Sequence, residues 1–144
     1  MIKITKCNIN DANFVLNLYN FHVQNNIFFT KKKVRMHDHL TWMKYALKKP
    51  NYFYITYYKK KKIGYLRYER KSDKNYEISI AIKDKFQKKG LGEITFLKTR
   101  NKIKKFNIIS KIKKNNKKSL KFFKKLGFKK YFTAKKYYVF KYKR

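Results

Sequence analysis

The chain carries only four glycines, and two of them, Gly90 and Gly92, stand where phosphate chemistry could use them. The segment Gln87-Lys88-Lys89-Gly90-Leu91-Gly92 follows a short alternating apolar run over 76–82 and opens a long stretch of helical spacing. A strand, a glycine-bearing turn and a helix start can cradle a pyrophosphate, because backbone N–H groups and the positive end of the helix dipole face the anion. Glycine suits such a turn because a side chain there would hold the phosphates away from the amides. Lys88 and Lys89 would add charge beside them. A glycine pair at a helix start is weak evidence taken alone, but a second segment follows it: Asn116-Lys117-Lys118-Ser119-Leu120-Lys121-Phe122-Phe123-Lys124-Lys125-Leu126-Gly127-Phe128. In it, Gly127 reads as the left-handed cap that ends a helix.

Upstream of the glycine loop, Ile78, Ile80 and Ile82 alternate with Glu77, Ser79 and Ala81, which places the two sets on opposite faces of a strand. Glu77 is the only carboxylate of that run. A carboxylate in a sheet needs a reason to be there: it either handles an amine, as base or anchor, or it pairs with Arg67 or a lysine. A further polar and aromatic group lies in Arg35-Met36-His37-Asp38-His39-Leu40-Thr41-Trp42-Met43. His37 and His39 do not suggest a metal site, since no third ligand accompanies them and alternate helical positions diverge. No metal is expected.

The elements that must position these residues are read from periodicity. A first strand at 2–5 leads to a helix capped by Asn10 and Asp11, with Phe14, Val15, Leu18, Tyr19 and His22 on its apolar face. The stretch 25–33 breaks that period and reads as a loop. Asp38 can start a second helix with Leu40, Met43, Ala46 and Leu47 inward, stopped by Pro50. Strands follow at 52–58, 63–70 and 76–82, with turns at 59–62 and 72–75. The stretch 90–105 reads as a helix with Leu91, Ile94, Leu97 and Ile103 inward, then come a strand at 106–112, a helix at 117–125 and a hairpin formed by 131–132 and 137–142. Residues 1–144 form one domain, with no repeat and no linker. Periodicity alone supports a mixed α/β class.

Composition sets the outer bounds. The 144 residues suffice for one sizeable core, and 43% hydrophobic with 19% aromatic content argues for a folded globule. The single cysteine, Cys7, cannot form an intramolecular disulfide, which points to a reducing, cytoplasmic setting. There is no apolar leader-like run behind Met1 and no stretch long enough for a membrane span. Forty-one Lys and Arg against seven Asp and Glu give a net charge of +34. Two readings of that number stay open. The favoured residues (Lys, Asn, Ile, Tyr, Phe) all have codons of A and T alone, so base composition could produce it; or a polyanion-binding surface with interleaved rings was selected. Either way, non-specific binding to nucleic acid at low salt is a physical expectation. Nothing in the sequence speaks to oligomeric state.

Taken together, the two glycine-bearing segments resemble the GNAT superfamily of acetyl-CoA-dependent N-acetyltransferases, over about residues 52–128, through the order and spacing of both. The resemblance implies an α/β fold with a single mixed, mostly antiparallel sheet of six to seven strands flanked by about four helices. It implies that Gln87, Lys88, Lys89, Gly90, Leu91 and Gly92 wrap the pyrophosphate of coenzyme A, and that Ile80, Ala81 and Ile82 pair with its pantetheine arm like an added strand. Asn116 would hydrogen-bond the pantetheine or cap the next helix, and Ser119 is a small residue facing the cofactor. Phe123 stands near the thioester where many members have a tyrosine, so the usual proton donor to the leaving thiolate is missing.

Acetyl transfer to an amine needs a neutral amine, a donor for the developing oxyanion and a proton for the thiolate. The resemblance offers the Ile82 N–H as that donor and Glu77 as base or anchor. The run containing Arg35, His39 and Trp42 is similar to the helix of members acting on amino-sugar nucleotides, including pseudaminic-acid-type enzymes; the competing reading packs Trp42 in the core and leaves His39 on the helix surface. Ribosomal-protein N-terminal acetyltransferases are a nearby alternative, although many carry Glu where this chain has Lys111. The expected function is transfer of acetyl from acetyl-CoA to a primary amine, with a basic nucleic-acid-binding module on a degenerate scaffold as the rival.

Overall fold

The computed structural model describes residues 1–24 and 32–143, so the expected loop at 25–33 falls, up to residue 31, outside the described residues. One seven-stranded sheet organises them, in the order β1-β2-β3-β4-β5-β7-β6. Its strands are β1 (Ile2–Lys6), β2 (Tyr52–Tyr58), β3 (Lys61–Arg70), β4 (Asn75–Ile82), β5 (Asn107–Lys113), β6 (Phe128–Thr133) and β7 (Tyr137–Tyr142). The helices are α1 (Ala12–Gln24), α2 (Met36–Ala46), α3 (Leu91–Thr99) and α4 (Lys117–Lys125). Every neighbouring pair is antiparallel except β4 with β5. This is the mixed, mostly antiparallel sheet with four helices that the resemblance implies.

Strand alternation divides the core into two layers. Phe53, Ile55, Tyr65 and Ala81 face α1 and α2, where they meet Val15, Leu18, Met43 and Ala46. Tyr54, Leu66, Tyr68, Tyr76 and Ile78 face the other way, against Phe96 and Ile103 after α3 and against Phe123 of α4. The hairpin β6–β7 closes this second layer with Phe128 and Phe140, both fully buried.

Three local expectations are corrected. The cap before α1 is not Asn10: Asn8 Oδ1 accepts from Asn10 N–H at 2.8 Å, while Asp11 Oδ2 accepts from Asn8 N–H at 3.0 Å, a reciprocal box on a short 3-10 turn. Helix α2 begins at Met36 rather than Asp38, with Arg35 as an N-cap that makes no side-chain cap bond. On α3 the inward positions are Leu91, Thr95, Phe96 and Thr99, and Ile94 and Leu97 are exposed. The threonines are tolerated in the core because each hydroxyl is satisfied twice. Thr95 donates to Leu91 C=O and meets the Thr56 hydroxyl, and Thr99 donates to Thr95 C=O and meets the Tyr68 hydroxyl.

The fourth glycine, Gly64, sets how closely β3 and β4 approach. A Cβ there would lie 2.4 Å from Ala81 O and 2.6 Å from Ile82 Cδ1, contacts no side chain can hold. Gly64→Ala is therefore expected to push β4 off β3 at its last residues and to lower the unfolding free energy by roughly 1–3 kcal/mol in denaturant titration; an unchanged midpoint would show that the pair can spread without cost.

Candidate active site

Strands β4 and β5 are paired over only three positions, Asn75↔Asn107, Tyr76↔Ile108 and Glu77↔Ile109. Beyond them β4 stays with β3 as far as Gly64↔Ile82, and β5 turns to β7 from Ile109↔Lys141 to Lys113↔Tyr137. The two strands diverge and leave a wedge between them. Lys83 N–H donates to Ile63 C=O at 2.7 Å, which fixes the phase of β4. By alternation, the main-chain groups of Ile78, Ile80 and Ile82 point into the wedge and those of Ala81 point to β3. Of the three residues expected along an added strand, Ile80 and Ile82 thus offer backbone partners. Ala81 does not, because only every second residue of a strand can face one edge.

The mouth of the wedge is the glycine loop. Gln87 Nε2 donates to Ile82 C=O at 2.9 Å and ties the loop to the strand end. Lys88 and Gly90 are both left-handed, with φ of 63° and 76°. The first helical bond of α3 is Ile94 N–H to Gly90 C=O, at 3.1 Å. The N–H groups from Lys88 to Glu93 find no acceptor among the described residues, so they form a set of unclaimed donors at the positive end of α3. Lys88 and Lys89 are exposed beside them, while Leu91 is buried.

The two loop glycines serve different needs. A Cβ on Gly90 would meet nothing within 4 Å, so its requirement is conformational. A Cβ on Gly92 would sit 3.1 Å from the Phe122 ring and 3.7 Å from Ile80 Cδ1, so this glycine lets α3 close on α4. Asn116 Oδ1 accepts from Ser119 N–H at 3.1 Å and caps α4, leaving only its amide nitrogen for an outside partner. Ser119 is half-buried. Phe123 is buried among aromatic rings, 5.1 Å from Phe122 and 5.0 Å from Phe128, and it is Phe122 that borders Gly92 and Ile80.

On the opposite face of the sheet lies a group of charges that the sequence only half disclosed. Glu69 stands directly across from Glu77 in the β3–β4 register. The Lys71 ammonium sits between them, 3.3 Å from Glu69 Oε2 and 3.6 Å from Glu77 Oε1. Arg67 Nη1 donates to Glu69 Oε1 at 2.9 Å, and its guanidinium lies 5.1 Å from the centre of the Trp42 ring. Burial pushes the Glu69 carboxyl up, but Arg67 and Lys71 outweigh it and hold the carboxyl below its usual range. Glu69 and Lys71 could have been found from the turn at 72–75: once that turn is set, Glu69 must oppose Glu77.

Of the expected acceptor residues, only Trp42 reaches this group. It is half-buried, edge-on to Phe53 at 6.1 Å. His39 is not on the helix surface: it is buried, its ring 5.7 Å from that of Trp42. Arg35 faces solvent, 3.7 Å from Asp38. Next to Lys71, a hollow of about 380 Å³ is lined by Tyr45, Lys48, Lys49, Pro50, Asn51 and Arg70, among others, a setting that favours anions. Among the described residues no group of three His, Cys, Asp or Glu could hold a metal, and no helix is long and apolar enough to cross a membrane.

A wedge between two parallel strands, roofed by a glycine loop at a helix start, defines an acyl-coenzyme-A-type transferase architecture. Residues 17–128 match the acetyltransferase (GNAT) family, and the chain belongs to that family and is an acyltransferase. Solved structures share the fold at low identity. The putative acetyltransferase yncA from Salmonella typhimurium, solved with acetyl-CoA, superposes with a TM-score of 0.80 at 16% identity, covering 98% of this chain and 91% of that one. A ribosomal-protein-alanine N-acetyltransferase from Brucella melitensis gives 0.81 at 15% identity, covering 96% of each chain. FdhC, a nucleotide-linked sugar GNAT, gives 0.79 at 15% identity, covering 98% and 85%. Comparison with curated protein sequences gives no match.

Two buried histidines make stability depend on pH. Burial lowers the pKa of both His22 and His39 from 6.5. Below 6.5 the unfolded chain therefore binds protons that the folded chain refuses, so stability is complete above that pH and is lost as pH falls toward the folded values. The melting temperature is expected to fall between pH 7 and pH 5, and His39→Leu should make that dependence shallower. Parallel curves for the two proteins would show that His39 titrates freely in the folded state.

Proposed function

We propose that the chain transfers acetyl from acetyl-CoA to a primary amine carried on an anionic molecule, with a nucleotide-linked amino sugar as the class that suits the surroundings best. The carrying observation is the coincidence of three features at one wedge: the open edge of β4, the unclaimed N–H groups over 88–93, and the two-carboxylate group on the far face. Acetyl-CoA, when bound, supplies the acetyl group as a thioester. Ile80 and Ile82 pair their main chain with the extended arm of the co-substrate, and the loop from Gln87 to Gly92 meets its pyrophosphate with backbone donors and the Lys88 and Lys89 charges. The Ile82 N–H, aimed into the wedge, polarises a carbonyl there.

Lys71 marks where an ammonium sits between Glu69 and Glu77. A substrate ammonium taking that place is anchored by both carboxylates and gives its proton to Glu77, directly or through water, which frees the lone pair for attack. Trp42 and Arg67 wall the seat, and the neighbouring hollow with Lys48, Lys49 and Arg70 suits the phosphates of a nucleotide. The FdhC likeness agrees with this acceptor class at the level of fold. A screen of amine acceptors by free-thiol release, run beside acetyl-CoA calorimetry at high salt, tests the reading. The screen is clean because Cys7 is silent: burial pushes its thiol up to about 12. Binding that appears only at low salt, and equally with any polyanion, would leave the basic-module reading instead.

Gly90→Val is expected to abolish calorimetric acetyl-CoA binding while the far-UV spectrum stays native, at a strain cost of about 1–2 kcal/mol for a left-handed β-branched residue. It separates the cradle from packing more cleanly than Gly92→Val, which must also displace Phe122. Retained affinity in the Gly90 variant would remove the loop from the site. Glu77→Gln should cut turnover on the order of 10²-fold with little change in acetyl-CoA affinity; wild-type rates across pH would return Glu77 to a purely structural pairing with Lys71.

A further inference from the structure

Among the described residues, α1 and α2 cover the sheet along β2, β3 and β4. The buried layer on that side contains residues from β2, β3 and β4, and none from β5, β7 or β6. What β5, β7 and β6 present there is a regular mixture of cations and rings. Lys111 and Lys113 of β5 share this face with Ile109. Opposite them in register, β7 offers Tyr137, Val139 and Lys141, and β6 offers Lys129 and Phe132, with Tyr131 in the bulge between Lys130 and Phe132. Tyr131 and Phe132 are 67% and 57% exposed, far more than rings in water normally justify. The cations lie against rings: Lys141 Nζ is 5.0 Å from the Tyr131 centroid and Lys111 Nζ is 5.6 Å from that of Tyr137.

The charge on this part of the molecule is one-sided. From residue 94 to residue 144 there is no Asp or Glu, while twenty Lys and Arg occur. The nearest carboxylate on the face is Glu77, across the β4–β5 boundary and paired with Lys71. Charge alone would draw any polyanion to the protein, but exposed rings between the charges select among polyanions. Bases can stack on such rings only when they are unpaired, and lysines spaced along neighbouring strands then meet the phosphates that follow. A second copy of the chain is the poorer occupant, because a two-fold contact through this face would set Lys111, Lys129 and Lys141 near their own copies with no carboxylate to offset them.

We propose that the open β5–β7–β6 face is a binding platform for single-stranded nucleic acid, with Tyr131 and Phe132 as stacking rings and Lys111, Lys129 and Lys141 as phosphate contacts. The platform does not depend on the acetyl-transfer reading.

The test is fluorescence anisotropy with a labelled oligo-dT of about twelve nucleotides and a duplex of equal length, titrated across about 50–300 mM salt. The wild type is expected to bind the single strand at least about tenfold more tightly than the duplex. The double variant Tyr131→Ser, Phe132→Ser should lose about 10–100-fold for the single strand, change little for the duplex, and keep its salt slope, because rings and not charges are removed. The double variant Lys111→Gln, Lys141→Gln should keep the strand preference and lower the salt slope by about 1.4, from about 0.7 per lost phosphate contact. If the ring variant fails to fold, the lysine variant decides by its slope alone. Equal losses for strand and duplex, an unaltered slope, competition by polyglutamate as strong as by oligo-dT, or sedimentation showing that the ring variant merely turns a dimer into a monomer would each overturn the platform.

Discussion

The architecture depends on the early end of one ladder. β4 and β5 share three residue pairs and then part, and each strand has a better partner on its other side. Parallel pairing is the weaker kind, so five antiparallel pairs against β7 hold β5 more firmly than a longer parallel ladder would. The backbone groups of Ile80 and Ile82 are left facing an opening in the middle of a sheet, where a closed ladder would have satisfied them. Everything placed around the wedge serves to keep that opening: Gly64 holds β4 to β3, Gln87 claims one carbonyl at its mouth, and Gly92 lets Phe122 fill the space beneath.

The same division separates the chemistry by face. In the proposed reading, coenzyme recognition, which needs backbone donors and positive potential, falls at the loop and the start of α3. In the same proposed reading, amine handling, which needs carboxylates, falls on the α1/α2 side around Glu69, Glu77 and Lys71. The sheet itself is the partition, and the wedge is the only place where the two faces communicate within the ladder order. A chain with seven carboxylates has placed two of them opposite each other there, which is uneconomical for stability alone.

Much of this could be read from residue types because the relevant signals are local. The strands announced themselves by alternation, α4 by its span from Asn116 to Gly127, and the loop by its glycines. What escaped depended on contacts between distant segments. Thr95 and Thr99 look outward by polarity, yet hydroxyl partners on β2 and β3 draw them in and turn Ile94 and Leu97 out. Phe122 and Phe123 are neighbours on one helix, and only packing against Gly92 and Phe128 separates the ring at the wedge from the ring in the core. His39 reads as an acceptor residue or as surface until packing buries it beside Trp42. The seat around Lys71 needs the β3–β4 register, which a turn of polar residues specifies only once its length is known.

Chain order and spatial order disagree at the far edge of the sheet. β7 comes after β6 in the chain but lies inside it, between β6 and β5. The strand that backs β5 is thus the last of the seven to become available, and it arrives already paired as half of a hairpin. Until that hairpin docks, β5 has only three parallel pairs to hold it, and Phe140 and Phe128 are missing from the second layer of the core. Completion of this half of the sheet therefore waits on the last strand of the chain, which concentrates exposure of Tyr and Phe in the interval before closure. One wall of the wedge thus gains its antiparallel partner from the last strand of the chain, which ties the shape of the proposed site to completion of the sheet.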